Sequence, residues 1–552
     1  MKKGIKLLAV AVMGMAVVAC SSAEKMADLA QNVVVKCNPE VLEAIGGNVD
    51  ADISVTYPDD YFHPKAILEV TPVLVYQGGE AKMTPFMYQG EKVKDNYKVV
   101  SRDGATVNEK VHFDYVEGME KSTLELRGVV KYKKHNIRIP IRKVADGVNT
   151  TYMLVKSRGR LPFKADNYQE IVKQSEEGQI LYLINSAQVR AKELRSQSIT
   201  DFQAALDEIK ANERKTLVGT EVVAYASPDG GEELNTKLSD RRSQSADKAW
   251  SSVVKNREVA DPEVRSIGQD WEGFEELVQN SDIEDKDLIL RVLSMYSDPE
   301  VRENEIKNMS SVYTELKSGI LPELRRARFI ANVEYKNYTP EELMELVNEN
   351  LNVLDEEALL RAATLVRDND SKYRLYNQAI EKFGSDRARF NLGVAYAAAG
   401  ELDKAANAFA EVRNKDADLQ NALGVLALRN GDYETASNYF KQSKTKVANA
   451  NQGVIDILTG DYEQAIRNFK DADGCNFNLA LSYLLTGQLN QAENIDCDRD
   501  RDCARCSYLK AIIAARKGNT DDVKKYLDEV SDKDRALAER AFTDIEFAEY
   551  YK

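Results

Sequence analysis

Histidine and tryptophan are scarce in this 552-residue chain, with three of the first and two of the second. The histidines are His63, His112 and His135, and all fall in one strand-like region. His112 sits on an alternating stretch, where a surface or internally satisfied imidazole is far commoner than a catalytic base. A Gly-x-Ser-x-Gly elbow and a phosphate-binding P-loop are also missing. The sequence therefore reads as non-catalytic and implies no cofactor. Positive charge is not in excess: 75 Lys and Arg stand against 90 Asp and Glu, a net charge of −15. Phosphate backbones are gripped by basic stripes, so nucleic acid is not an expected partner. Proline is low at 12 residues and hydrophobic content is 43%, which argues for folded domains rather than a disordered stalk. Trp250 and Trp271 are few for a protein that stacks sugars on aromatic rings. Beyond the N-terminus, no stretch is apolar enough for the roughly 20 residues a bilayer crossing needs.

What is present begins at the N-terminus. Met1-Lys2-Lys3 is a short positive segment, followed by an apolar run over 7–18. That run has the length of a signal-peptide core rather than of a membrane span. Val17-Val18-Ala19-Cys20 reads as a lipobox, in which Cys20 takes the lipid and becomes the first mature residue. Ser21-Ser22 follows without an aspartate, which points to the outer membrane. No acidic cluster follows either, which points to its periplasmic face.

Three regimes succeed one another. Over 31–156 the pattern has period two, as in Asp52-Ile53-Ser54-Val55-Thr56-Tyr57 and Lys110-Val111-His112-Phe113-Asp114-Tyr115. Short strands of this kind predict an antiparallel β-sandwich, serving as a spacer or docking module. Over 179–335 the expected order is strand, helix, strand, helix, a long helical stretch, then strand. Ile180-Leu181-Tyr182-Leu183-Ile184 opens it, 199–212 is an amphipathic helix carrying Phe202, Leu206 and Ile209, and 218–226 is a central strand. From about 339 the chain is helical and repetitive. Gly400, Gly431, Gly460, Gly487 and Gly518 recur at intervals of 31, 29, 27 and 31. Ala405, Ala436, Ala465 and Ala492 follow the first four by five residues, and Phe409, Phe440 and Phe469 follow the first three alanines by four. A helix-ending glycine, a small residue at a crossing and a buried aromatic make a helical-hairpin array.

Two resemblances attach to these motifs. The array, with Leu392-Gly393 and Tyr396, resembles the tetratricopeptide repeat, with some hairpins shorter than that family's 34 residues. The segment Asn235-Thr236-Lys237-Leu238-Ser239-Asp240-Arg241-Arg242-Ser243 resembles the Asn-x-x-Leu-Ser-x-x-Arg-Ala signature of OmpA-like domains. It matches at Asn235, Leu238, Ser239 and Arg242. That resemblance implies a β-α-β-α-β fold and a grip on the carboxylate and amine of diaminopimelate in peptidoglycan. Positions 235, 239 and 242 share one stripe of a helix, so Arg242 is placed to offer its planar fork to a carboxylate. The family's amine-holding aspartate is replaced by Ser227, and Asp229 is the nearest substitute. Ala226-Ser227-Pro228-Asp229-Gly230, with Arg325-Arg326-Ala327 further on, resembles OmpA-like lipoproteins of Bacteroidetes, where this fold accompanies tetratricopeptide repeats.

Five cysteines remain beyond Cys20: Cys37, Cys475, Cys497, Cys503 and Cys506. Disulfides among Cys475, Cys497, Cys503 and Cys506 are the first expectation for an oxidising compartment. Zinc, a redox pair or free thiols are the alternatives. The whole reads as a multidomain α+β chain. A signal peptide (1–19) precedes a β-sandwich (20–160), an OmpA-like domain with a helical insertion (161–337) and an all-α solenoid (338–552). The expected function is an outer-membrane lipoprotein scaffold that touches peptidoglycan and docks protein partners on its repeats; the alternative is a surface glycan receptor. Tethering of that kind works by raising local concentration.

Overall fold

The computed structural model describes residues 23–470, 472, 476–497 and 503–551. Cys20 and Cys475 lie outside the described residues. The chain divides into two compact units, one made of 1–164 with 384–552 and the other of 165–383. The helices Pro340–Glu349, Glu356–Leu365 and Asn369–Phe383 thus group with the middle of the chain.

In the first unit, the period-two segments become strands of two sheets. Asn48–Tyr57 buries every second residue and pairs antiparallel with Val34–Asn38, Leu42–Ile45 and Ala105–Asp114. In the other sheet, Ile67–Tyr76 lies between Thr123–Tyr132 and Phe86–Gly90. Ile53, Val55 and Tyr57 from the first sheet and Leu68, Leu74 and Leu124 from the second enter one core. The expected purely antiparallel pairing is broken twice. Phe86–Gly90 runs parallel to Lys98–Val100, and Leu42–Ile45 runs parallel to Val148–Asn149. Both are short pairings made where the chain returns to a sheet margin, which alternation within one strand cannot announce.

Among the described residues, five helical hairpins follow in the same unit: Asp386–Ala399 with Leu402–Ala410, Ala417–Arg429 with Tyr433–Ser443, Lys446–Thr459 with Tyr462–Lys470, Asn476–Leu485 with Leu489–Glu493, and Ala504–Arg516 with Thr520–Lys533. Gly400, Gly431, Gly460, Gly487 and Gly518 all have positive φ, between 74° and 89°. Each lets the first helix stop and the second turn back, with the following N–H bonded to a carbonyl in the last turn, as Glu401 is to Tyr396 at 2.9 Å. Ala405, Ala436, Ala465 and Ala492 are buried, and so are Phe409, Phe440 and Phe469. One hydrophobic core runs from the sandwich residues through Tyr152 and Leu154 into the later hairpins, while the first hairpin packs with the start of the second in a core of its own around Phe390 and Phe409.

The rings explain three further glycines. A Cβ on Gly393, Gly424 or Gly453 would stand 2.5, 2.5 or 2.9 Å from Phe409, Phe440 or Phe469 respectively. Gly424→Ala would gain about 1 kcal/mol of helix propensity. Overpacking of this kind costs about 1–3 kcal/mol, and a backbone-borne Cβ cannot swing away from the ring. We expect a net loss of stability, seen as a lower thermal midpoint for the unit; an unchanged or higher midpoint would mean the ring yields.

The second unit holds a four-stranded sheet in the order Ile171–Leu181, Arg326–Lys336, Lys215–Ala226, Glu263–Gln269. The last strand pairs parallel to its neighbour and the others antiparallel. Helices Gln197–Ala211 and Glu232–Val254 connect the strands, the first burying Phe202, Leu206 and Ile209. The strand Glu263–Gln269 is absent from the sequence expectation, which has helix there. It is an edge strand whose first five residues are exposed, so it lacks the apolar alternation that marks a strand. Trp271–Gln279, Lys286–Met295, Pro299–Asn308 and Ser310–Gly319 form the helical insertion, with its own core around Phe274, Ile289 and Leu316.

Candidate functional site: an asparagine-lined groove

The first helix of each of four successive hairpins carries one buried asparagine: Asn391, Asn421, Asn451 and Asn478. A buried primary amide must place both a donor and an acceptor. Asn391, Asn451 and Asn478 spend both on the backbone of the chain's own segment 156–164, and Asn421 spends its donor there. Asn478 accepts from the Lys156 N–H at 2.9 Å and donates to the Lys156 carbonyl at 3.2 Å. Asn451 accepts from the Arg160 N–H at 2.6 Å and donates to the Arg160 carbonyl at 2.9 Å. Asn391 accepts from the Lys164 N–H at 2.8 Å and donates to the Lys164 carbonyl at 2.9 Å. Asn421 donates to the Arg160 carbonyl at 3.2 Å, and its own oxygen takes a bond from Asn451 at 2.8 Å. The amides thus hold every fourth residue of a strap, much as a neighbouring strand would.

Other side chains complete the hold. Arg429 donates to the Arg158 carbonyl at 2.8 Å, and Arg505 reaches the carbonyls of Leu154 and Val155. Lys164 pairs with Asp416, lies 3.7 Å from Asp418, and stands 5.0 Å over the Phe390 ring. Lys156 stands 5.1 Å over Phe477. Before the strap, Glu546 accepts from Asn149 at 2.7 Å and Thr151 at 2.9 Å, and it pairs with Arg516. Cavities of about 570 and 440 Å³ flank the strap, the first beside Asn451, Val454 and Phe469 and the second beside Ala397 and Tyr433.

Sequence reasoning does not single out these asparagines. Their intervals of 30, 30 and 27 follow the repeat and are the available signal. Nothing in the sequence says that the residues they hold are 156–164.

The residues singled out in the second unit form a different arrangement. Arg242 is fully buried. Its Nε donates to the Ser186 carbonyl at 3.0 Å, Nη1 to Tyr225 at 2.8 Å and Nη2 to Leu183 at 3.3 Å. Burial lowers its guanidinium to about 10, partly opposed by Tyr182, so it stays charged at neutral pH. The fork expected to meet a ligand carboxylate is thus committed to backbone carbonyls of its own unit. Asn235 donates to the carbonyls of Ser227 and Gly230 at 3.0 and 2.6 Å. Ser239 accepts from Gly268 N–H at 3.1 Å, and Leu238 is core. Ser227 bonds Asp229, and Arg325 reaches Ser227 at 3.3 Å and Asp229 at 3.2 Å. Space beside Asp229 is reduced to about 10 Å³ by Trp271, Phe274, Glu303 and Tyr313 of the insertion. That is room for about one water.

Of the cysteine candidates, Cys497 and Cys506 are buried and Cys503 is half-buried. Cys506 donates to the Cys497 carbonyl at 2.9 Å, and no disulfide is formed among the described residues.

Comparison with known proteins bears on the repeats. Residues 374–419 match the family described as Tetratricopeptide repeat. With five glycine-turned hairpins, tetratricopeptide repeats occupy the C-terminal region. No curated protein sequence matches the chain. Among solved structures, a tetratricopeptide repeat protein from Parabacteroides merdae is similar at 15% identity, covering 43% of this chain and 96% of that one, with a TM-score of 0.29. The APC/C hetero-tetramer Cut9-Hcn1 is similar at 15% identity, covering 56% and 74%, with a TM-score of 0.32. Yeast Tom70 is similar at 12% identity, covering 64% and 78%, with a TM-score of 0.28.

Proposed function

We propose that this chain is a non-catalytic, lipid-anchored envelope scaffold whose tetratricopeptide groove holds extended polypeptide. The observation that carries the reading is the row of four asparagines on a polypeptide backbone, three of them bonded to both polar groups of one residue and Asn421 to a carbonyl. Backbone capture of this kind is indifferent to side chains and suits a docking module. The lipid anchor at Cys20, the outer-membrane location and the periplasmic face belong to the proposal on the strength of the lipobox sequence. The peptidoglycan contact is left out of it. Binding a carboxylate there would require Arg242 to give up its backbone carbonyls and the insertion to move aside.

The test uses a photo-crosslinking residue at Ala398, an exposed position beside the groove, in cells making the full chain. Discrete adducts with another polypeptide are the expected result, and adducts confined to the chain itself would sink the scaffold reading. In the same cells, Cys20→Ala is expected to lose palmitate labelling and membrane sedimentation.

A further inference from the structure

The strap has an unusual standing in the fold. Among the described residues, 156–164 join no sheet or helix, and the backbone of Lys156, Arg158, Arg160 and Lys164 is met by repeat side chains. Because these bonds read main chain alone, another segment presenting the same backbone can make them, provided it also supplies what Leu161 packs and Lys164 pairs. Selectivity then comes from the few places where side chains matter. Gly159 has φ +69°, and a Cβ there would stand 3.2 Å from Val425 and Leu428 and 3.4 Å from Asn451. Lys164 is met by Asp416, Asp418 and the face of Phe390, a socket for one cation. The flanking cavities leave room beside the strap for side chains bulkier than Ser157.

We propose that residues 156–164 are a resident competitor for the groove, displaced by an extended segment of a partner protein that carries a lysine at the Asp416 socket and a glycine five residues before it. This deepens the scaffold reading and rests on it. A tethered segment has an effective concentration of order millimolar, so a free peptide meets a largely filled groove in the native chain. Weakening the strap removes that competition without touching the groove.

The experiment measures fluorescence anisotropy of a labelled synthetic peptide with the sequence of 153–166, titrated with the full chain. Two strap-weakened chains are compared with the native one, Gly159→Val and Lys164→Ala. Both are expected to bind the peptide at least about tenfold more tightly than the native chain, since the internal competitor has been weakened. A peptide carrying Lys164→Glu is expected to lose about tenfold or more, because its carboxylate would face Asp416 and Asp418. Equal, weak binding by all three folded chains would overturn the proposal, as would equal binding of the two peptides. Loss of folding in both variants, followed by circular dichroism, would overturn it too, by making the strap part of the framework. Crosslinks from Ala398 to another polypeptide alongside failed peptide binding would leave the scaffold standing with its partner outside the groove. Absence of both would remove the scaffold reading itself.

Discussion

Asn451→Ala is expected to lower the local stability of the strap and its groove by about 3 kcal/mol, a loss of roughly 100-fold in protection. The amide is buried and makes three bonds, to the N–H and carbonyl of Arg160 and to Asn421. Truncation leaves the Arg160 N–H and the Asn421 oxygen without this partner, while the Arg160 carbonyl keeps its bond from Asn421, and each unsatisfied buried group costs about 1–3 kcal/mol. Water entering from the adjacent cavity recovers part of this, which is why the figure lies near the lower end of the sum. Asn451→Asp separates hydrogen bonding from shape. The carboxylate still accepts from Arg160 N–H, but it turns an oxygen towards the Arg160 carbonyl and Asn421, so it should not rescue. Asn421→Ala should cost less, because the Arg160 carbonyl keeps its bond from Asn451. Hydrogen exchange of the Arg160 amide is the direct measure. Protection that changes less than about threefold would show that the strap is held by its lysine contacts instead.

Arg242→Ala is expected to destabilise the 165–383 unit by about 5 kcal/mol. Hydrogen bonds from a charged donor contribute about 1.5–3 kcal/mol each, and three backbone carbonyls would lose theirs together. A cavity beneath the Tyr182 ring, which the guanidinium now covers at 5.1 Å, adds to the loss. Arg242→Lys should recover only part, since a single ammonium on a flexible stem cannot span the carbonyls of Ser186, Leu183 and Tyr225. Denaturant titration reports the change, and a loss under about 1 kcal/mol would mean those carbonyls find water. The result also governs any peptidoglycan sedimentation assay. Loss of sedimentation in Arg242→Ala carries meaning only if the unit is still folded.

The two halves of the chain differ in how far their residues announce their roles. The repeat hairpins are legible because their determinants are local. A positive-φ glycine, a small residue five positions on and an aromatic one turn later all act within a single hairpin. Strands such as Asn48–Tyr57 are legible for the same reason, since alternation records one wet face and one dry face. The edge strand Glu263–Gln269 is not, because both its faces are largely exposed. Arg242 shows a different limit. Its place on the inner stripe of Glu232–Val254 follows from helical spacing, yet the bonding partners come from segments 17 to 59 residues away. A motif reports where a side chain points and not whether its donors are already spent.

The asparagine groove is the sharpest case. The sequence by itself determined the hairpins, their turns, the core aromatics and the presence of at least one asparagine on each of four first helices. Only the tertiary structure decided what those asparagines hold. The strap precedes them by 227 to 322 residues, and its backbone polar groups, like those of any residue, carry no side-chain signature. Side-chain amides that read main chain leave no complementary pattern in the segment they read. Such a contact becomes visible only when the fold brings the two together.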